Sequence, residues 1–236
     1  MNIIIIFKSD FIDNSKRIRL SGRRFEHISS FLGVKTGEIV QTGLLNGKIG
    51  TGLITSLPDK SIEMEVDFTK PPPPALPVHL IMAMPRPKAL KRIIQHITAM
   101  GVKKISIIKT WRVEKSYLDS PVLNENSLFQ QMIMGLEQGK DTILPEIHIK
   151  KLFKPFVEDE IPEIIKGTHA IVAHPGSKNE CPRNIQKPVT LVIGAEGGFI
   201  PYEIELLEKH GFEVIHIGER ILRVETVIPA LLGRLF

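Results

Sequence analysis

Cysteine is almost absent from the sequence, because Cys181 is the single one among 236 residues. One cysteine excludes an internal disulfide and a cysteine-based metal cluster, and it fits the reducing environment of the cytosol. Long apolar runs are also missing, and the run over residues 3–7 is too short for a signal peptide or a membrane span. We therefore expect a cytoplasmic protein that does not associate with membranes.

Several motifs with known chemistry do not occur. The eight histidines show neither the H-E-x-x-H nor the H-x-x-E-H spacing, so we expect no metal site. The sequence contains no G-x-G-x-x-G fingerprint, no G-x-x-x-x-G-K-[ST] loop and no G-x-S-x-G nucleophile elbow. Dinucleotide binding of the usual type, P-loop phosphate binding and nucleophile-elbow chemistry are therefore not indicated.

The chain is moderately basic, with a formal net charge of +5 and an isoelectric point near 9.3. A nucleic acid is a plausible partner at this charge, but the total alone does not distinguish it from a merely basic protein. The length suffices for one large or two modest domains, each with its own core.

Secondary-structure signals divide the chain into two parts. Residues 1–70 contain short apolar runs separated by turn signals such as Asn46-Gly47, which predicts β-strands and hairpins. Residues 71–77 are rich in proline and predict a stiff linker rather than a strand. From residue 78 to 236, strand and helix patterns alternate, which predicts a mostly parallel α/β sheet.

Three strands near the carboxyl end each lead into a turn that contains glycine. Residues 170–173 precede His174-Pro175-Gly176, residues 191–193 precede Gly-Ala-Glu-Gly-Gly, and residues 215–217 precede Gly-Glu-Arg-Ile-Leu-Arg-Val-Glu-Thr. Apolar runs bounded by glycines are typical of buried strands. Because open α/β sheets bind ligands at the carboxyl ends of their strands, we expect the three turns to converge.

Basic side chains are concentrated between residues 84 and 115, where nine of them are opposed only by Glu114. Such clustering favours phosphate binding over a plain solvated surface. Arg23 and Arg24 form a second, smaller patch. The candidate nucleic-acid-binding residues are Arg23, Arg24, Arg86, Lys88, Arg92, Arg112 and Lys115.

The final turn carries charged side chains that a plain linker does not require: Glu219, Arg220, Arg223 and Glu225. They lie beside the apolar Ile221 and Leu222, next to Gly218. Charges of both signs at a strand end, beside a glycine, are more typical of a site than of a connection.

These motifs resemble those of a known family. Gly-Ala-Glu-Gly-Gly-Phe followed by Gly-x-Arg-Ile-Leu-Arg-x-Glu-Thr is similar to the paired C-terminal motifs of the ribosomal RNA uridine-N3 methyltransferases (RsmE type) of the SPOUT superfamily. The similarity covers nearly the whole chain, including Glu137-Gln138, the segment from residue 144 to residue 147, and the His-Pro turn.

The resemblance implies a specific architecture and cofactor. The fold would be α/β, with a SPOUT-type parallel sheet and a C-terminal trefoil knot in residues 78–236. Residues 1–70 would form a PUA-like β-barrel that binds RNA. The enzyme would be a homodimer that uses S-adenosyl-L-methionine. The implied cofactor-binding residues are His174, Pro175, Gly194, Ala195, Glu196, Gly197, Gly198, Ile217, Gly218, Ile221, Leu222, Arg223 and Thr226.

The implied reaction is methylation of N3 of a uridine in 16S ribosomal RNA, either as free RNA or in the small ribosomal subunit. Uracil N3 must lose its proton, so the reaction requires a base or a cation that stabilises the uracil anion. Arg220 and Arg223 are the candidates for electrostatic stabilisation, and Glu225 for orientation or proton removal.

The chain departs from the family pattern at five positions: Gly33, His96, Ala99, Asp141 and Ile200. The cofactor motifs are retained, whereas the changes affect RNA-side residues and the start of the helix after residue 200. Two alternatives therefore stay open. One is a divergent SPOUT methyltransferase with another RNA target, and the other is a non-catalytic RNA-binding assembly factor.

Overall fold

The computed structural model describes residues 2–13 and 15–236, and the chain divides into two compact units. The first unit comprises Met1–Pro74 and Ile133–Leu144, and the second comprises Ala75–Met132 and Pro145–Phe236. Between the last strand of the first unit and the first strand of the second, residues 71–76 have no regular secondary structure.

A five-stranded sheet forms the first unit. Its strands are β1 (Ile4–Ile6), β2 (Arg17–Ser21), β3 (Ile39–Leu44), β4 (Ile49–Ser56) and β5 (Ser61–Lys70). Their order is β1-β3-β4-β5-β2, with β1 parallel to β3 and the other pairs antiparallel. Helix α1 (Gly22–His27) and a further helical turn (Ile28–Leu32) follow β2. Alternate residues of β2 and β4 are buried, so one face of the sheet covers an aliphatic core.

A seven-stranded parallel sheet forms the second unit. Its strands are β6 (Val78–Ala83), β7 (Lys104–Ile108), β8 (Glu146–Lys150), β9 (His169–Ala173), β10 (Asn179–Glu180), β11 (Val189–Ile193) and β12 (Glu213–His216). Their order is β10-β12-β9-β11-β6-β7-β8. Every residue of β11 is buried, which is the pattern of a strand covered on both faces.

Helices alternate with these strands. They are α2 (Pro87–Ala99), α3 (Lys115–Leu118), α4 (Glu125–Gly139), α5 (Phe153–Pro155), α6 (Ile161–Ile164), α7 (Pro201–Lys209) and α8 (Val224–Leu235). Single helical turns lie at Lys8–Asp10, Pro121–Leu123 and Phe156–Glu160. In α2 the apolar residues Leu90, Ile93, Ile94 and Ile97 recur at helical spacing, and all four are buried. Among residues 2–13 and 15–236, no helix combines the length and apolar character that crossing a membrane requires.

Most strands and long helices were predicted from the sequence, but three strands were missed. β2, β8 and β10 each lie at an edge of their sheet. An outer strand has more exposed surface and therefore carries more charge, as in Arg-Ile-Arg-Leu-Ser of β2 and Glu-Ile-His-Ile-Lys of β8. Short apolar runs are the signal for buried strands, and these segments do not provide it.

The start of the last helix corrects another prediction. Threonine is a common residue at helix starts, so the sequence predicts that Thr226 caps the last helix and that Pro229 lies in its first turn, but α8 begins at Val224 with Arg223 as the residue before it. The carbonyl of Arg223 accepts hydrogen bonds from the backbone N–H groups of Thr226 and Val227, both at 2.9 Å. Thr226 is therefore inside the first turn, and Pro229 falls in the second turn rather than the first.

Candidate active site

Three neighbouring strands bring the three predicted turns together. β9 lies between β12 and β11, and all three run parallel, so their carboxyl ends share one edge of the sheet. The pairing register places Ala173 beside Ile193 and Ile215. The turns that follow these residues surround a cavity of about 300 Å³.

Most residues proposed to bind a cofactor line this cavity. The lining includes His174, Pro175, Gly194, Ala195, Glu196, Gly198, Ile217, Gly218, Ile221, Leu222 and Arg223, and also the candidate catalytic Arg220. Gly197 and Thr226 from the predicted set, and the candidate catalytic Glu225, do not line it. Sequence reasoning missed the apolar walls, which come from the strand ends, from the end of the turn after β11 and from α8: Ala173, Ile193, Phe199, Ile215, Val224 and Val227.

Glycine is required at specific points of these turns. Gly198 has a φ of +67° and Gly218 a φ of +139°, and both values disfavour residues that carry a Cβ. Gly194 has ordinary dihedrals, but an added Cβ would come within 3.3 Å of the Gly198 Cα. The backbone N–H of Gly198 donates to the carbonyl of Ala195 at 2.8 Å, which closes the turn.

His174 contributes a buried polar atom to the cavity wall. Its Nδ1 is buried and has no hydrogen-bond partner within the described part of the chain. Its backbone N–H donates to the carbonyl of Ile215 at 2.8 Å, which ties the β9 turn to β12. Because an unpaired buried polar atom is costly, this nitrogen is suited to pairing with a polar group of a ligand.

The two candidate catalytic arginines are exposed at the cavity. Arg220 and Arg223 both line it, and neither forms an ion pair with any described residue. Glu225 is half-buried in the first turn of α8, two residues after Arg223. The arrangement leaves two guanidinium groups available to an anion at the mouth of the cavity.

Loops after β6 and β7 are joined to the Gly194–Gly198 turn. The backbone N–H of Arg86 donates to Glu196 Oε1 at 3.0 Å, and Arg112 Nη1 donates to the carbonyl of Gly197 at 2.6 Å. Two candidate RNA-binding residues are thus next to the cavity. Sequence reasoning missed Trp111, which precedes Arg112 and is 80% exposed.

The other basic candidates of the second unit are exposed. Lys88 lies in the first turn of α2, and Lys115 is the first residue of α3. The sequence pattern predicts Lys91 and Arg92 in the first turn of this helix, but α2 begins at Pro87 and they lie in its second turn. They are therefore farther from the positive end of the helix dipole than the sequence suggested.

The two arginines of the first unit are engaged in ion pairs. Arg23 donates from both terminal nitrogens to Glu137, at 3.0 and 3.1 Å, and the Glu137 side chain is 3% exposed. Arg24 Nη2 donates to Asp10 Oδ1 at 2.7 Å, and its side chain is 15% exposed. The Arg24 guanidinium also lies over the Phe7 ring, 4.4 Å from its centre. This environment favours a structural role for Arg24.

The start of α7 lacks the usual hydroxyl cap, because Ile200 stands there. Buried Glu203 compensates for this loss, since its Oε2 accepts from the Ile200 backbone N–H at 3.0 Å. Its other oxygen, Oε1, accepts from the Trp111 backbone N–H at 2.7 Å. One carboxylate therefore fixes both the first turn of α7 and the loop after β7.

Comparisons with known proteins agree with these features. A family model described as RNA methyltransferase domain matches residues 72–235. Ribosomal RNA small subunit methyltransferase E of Treponema pallidum is 27% identical over 235 residues, covering 98% of this chain and 88% of the relative.

Two solved structures share the fold. A Legionella pneumophila protein in complex with the bound cofactor SAM has a TM-score of 0.75 and 24% identity, with 98% of this chain and 96% of that chain covered. Ribosomal RNA small subunit methyltransferase E from Neisseria gonorrhoeae, bound to S-adenosyl methionine, has a TM-score of 0.70 and 18% identity, with the same coverage.

Proposed function

Because the chain belongs to the RNA methyltransferase domain family, we propose that it is an S-adenosyl-L-methionine-dependent methyltransferase that modifies N3 of a uridine in small-subunit ribosomal RNA. The observation that carries the proposal is the convergence of three turns, after β9, β11 and β12, on one cavity. The name of the full-length relative, small subunit methyltransferase E, supports ribosomal RNA as the substrate.

The residues of the cavity suit this cofactor. Its volume of about 300 Å³ is in the range of small-molecule sites, and its walls are mainly apolar. Ile217, Ile221 and Leu222 offer apolar surface for an adenine ring, and the unpaired His174 Nδ1 offers a polar contact. When bound, the cofactor supplies a methyl group activated by its sulfonium.

The chain's own residues would prepare the uracil. Arg220 and Arg223 have no carboxylate partner among the described residues, so their charge is available to stabilise negative charge on the base after N3 loses its proton. Glu225 lies two residues beyond Arg223, where it would orient the base or accept the proton. Holding the base in line for transfer supplies a further part of the rate.

The finer architecture also belongs to the proposal. We assign residues 78–236 to a SPOUT-type domain with a C-terminal trefoil knot, residues 1–70 to a PUA-like RNA-binding barrel, and residues 71–77 to a linker. Support for the knot comes from the segment before β11, where Asn184 and Ile185 donate backbone hydrogen bonds to the carbonyls of Arg234 and Leu235. A homodimer and a cytoplasmic location complete the assignment.

Transfer of an isotopically labelled methyl group tests the proposal. Small-subunit RNA and assembled small subunits are incubated with the protein and labelled S-adenosylmethionine, and the nucleosides are identified by mass spectrometry. The expected product is labelled 3-methyluridine. Label in another base or in the ribose would instead support a divergent RNA target. Calorimetry that detects RNA binding but no cofactor binding would support an assembly factor without activity.

A further inference from the structure

Trp111 is the chain's only tryptophan, and it is exposed rather than buried. Its exposed fraction is 80%, close to the 84% of Ile221 at the cavity. Isolated exposed apolar residues are common, so exposure alone does not indicate a function. The surroundings of Trp111 make its position informative.

The backbone on both sides of Trp111 is held firmly. Thr110 and Val113 are 2% and 5% exposed, and the Val113 N–H donates to the Thr110 carbonyl at 3.2 Å. Glu203, itself 2% exposed, accepts the Trp111 N–H at 2.7 Å. With the backbone fixed, only the two side-chain dihedral angles of the exposed indole remain to be ordered, so it loses little conformational entropy on binding.

Trp111 is also next in the chain to a residue that contacts the cavity turn, and basic residues flank it in the sequence. The next residue, Arg112, reaches the carbonyl of Gly197, whose neighbours Glu196 and Gly198 line the cavity. Lys109 and Lys115 flank the same loop. Basic side chains that bind phosphates, interleaved with an aromatic ring that stacks on a base, are the general arrangement for single-stranded nucleic acid.

We infer that Trp111 stacks on an unpaired base of the RNA substrate, next to the nucleotide that enters the cavity. The inference rests on the proposed function for the identity of the substrate, and it adds that the RNA is single-stranded at this point. Trp111 is then a positioning residue, since it holds the RNA without contacting the reacting atoms.

The single tryptophan makes the contact directly observable. Stacking on a base quenches indole fluorescence, and no second tryptophan contributes to the signal. Unstructured RNA oligonucleotides of about ten nucleotides, a typical length for single-strand sites, serve as the probe. We expect saturable quenching by the RNA, and no comparable quenching by S-adenosylmethionine alone.

Variants then separate stacking from a general surface effect. Trp111→Ala should weaken oligonucleotide binding by about 5- to 100-fold, because stacking on an aromatic is worth that much per base. The KM for RNA should rise by a similar factor, while kcat and cofactor affinity stay near wild type. Trp111→Phe should restore most of the affinity. Leu152→Ala, which removes a 67% exposed apolar side chain from the second unit, serves as the matched control and should bind normally.

Five outcomes decide the inference. The inference is supported if quenching is saturable, if Trp111→Ala binds the oligonucleotide more weakly, and if Trp111→Phe restores the affinity. The inference is overturned, while the proposed function stands, if the RNA binds and is methylated without a change in fluorescence. Equal KM values for wild type and Trp111→Ala overturn it as well. If sedimentation shows that Trp111→Ala converts a dimer to a monomer, the inference is also overturned, and the ring is assigned to the contact between the two subunits. RNA binding with quenching but without methyl transfer removes the proposed function and leaves the stacking contact in place.

Discussion

The arginines of the first unit and those at the cavity of the second unit differ in what opposes their charge. Arg23 and Arg24 donate to Glu137 and Asp10, two carboxylates with little exposure. Arg220 and Arg223 form no ion pair with any described residue. The same residue type therefore stabilises the fold in one unit and remains available to an anionic ligand in the other. Basic residues in a sequence mark a binding surface only where the fold leaves them unpaired.

The largest effect is expected from removing an unpaired arginine. Arg223→Ala should lower methyl transfer by about 10²- to 10³-fold, the usual loss when one group that stabilises a developing charge is removed. The free energy of unfolding should change by less than about 0.5 kcal/mol, because no described partner is lost. Turnover with labelled cofactor and urea unfolding measure the two quantities. Near-normal turnover would show that Arg223 has no catalytic role.

Removing a paired arginine should give the opposite result. Arg24→Leu leaves the Asp10 carboxylate buried without its guanidinium, so unfolding should become easier by about 3 kcal/mol. Methyl transfer per folded molecule should be retained. Arg19→Ala is the matched control, since the pair of Arg19 with Glu63 is largely exposed on the Arg19 side and should contribute about 1 kcal/mol or less. Equal losses in the two variants would contradict this distinction.

His79 differs from both kinds of arginine, because its burial disfavours the positive charge of the imidazole ring. Desolvation, with a smaller repulsion from Lys104, lowers the pKa of His79 from 6.5 to about 4. Between these two values the unfolded chain binds a proton and the folded chain does not, so stability should fall as the pH drops from 6.5 to 4. For this partly exposed ring the loss is about 2 kcal/mol. In His79→Gln, urea unfolding over this range should lack that part of the pH dependence, and an unchanged profile would argue against His79 as its source.

The smallest effect concerns a single phosphate contact. The logarithm of RNA affinity falls linearly with the logarithm of salt concentration, and Lys115→Ala should make this slope shallower by about 0.7. That value corresponds to one phosphate contact to a single strand. Lys154→Ala, which removes a cation already paired with Glu158 at 3.7 Å, should leave the slope unchanged. Titrations at several salt concentrations compare the two variants. Identical slopes in both would remove Lys115 from the RNA-binding surface.

The sequence predicted the parts of the fold that depend on local pattern. Buried parallel strands have continuous apolar runs, and glycines mark the turns that need a positive φ, so β9, β11 and β12 and their turns were expected. The outer strands β2 and β8 were missed because their charged residues hide the strand pattern. The location of the cavity could be predicted, because parallel strands share one carboxyl edge. The apolar walls that α8 contributes could not be predicted.

Long-range pairings were not accessible from the sequence. Arg23 and Glu137 are 114 positions apart, and nothing local indicates that they meet. The exposure of Trp111 is of the same kind, since an aromatic residue after a buried strand is as compatible with a core position as with the surface. Its basic neighbours, Lys109 and Arg112, were a usable signal that sequence reasoning did not apply to it.

Glu203 has a consequence for motion at this edge of the sheet. Each of its two carboxylate oxygens accepts one backbone N–H, from Ile200 at the start of α7 and from Trp111. The side chain is buried, with 2% of its surface exposed. We therefore expect a displacement of the α7 first turn to alter the hydrogen bond that holds the backbone of the indole. The two segments share one support, a single carboxylate.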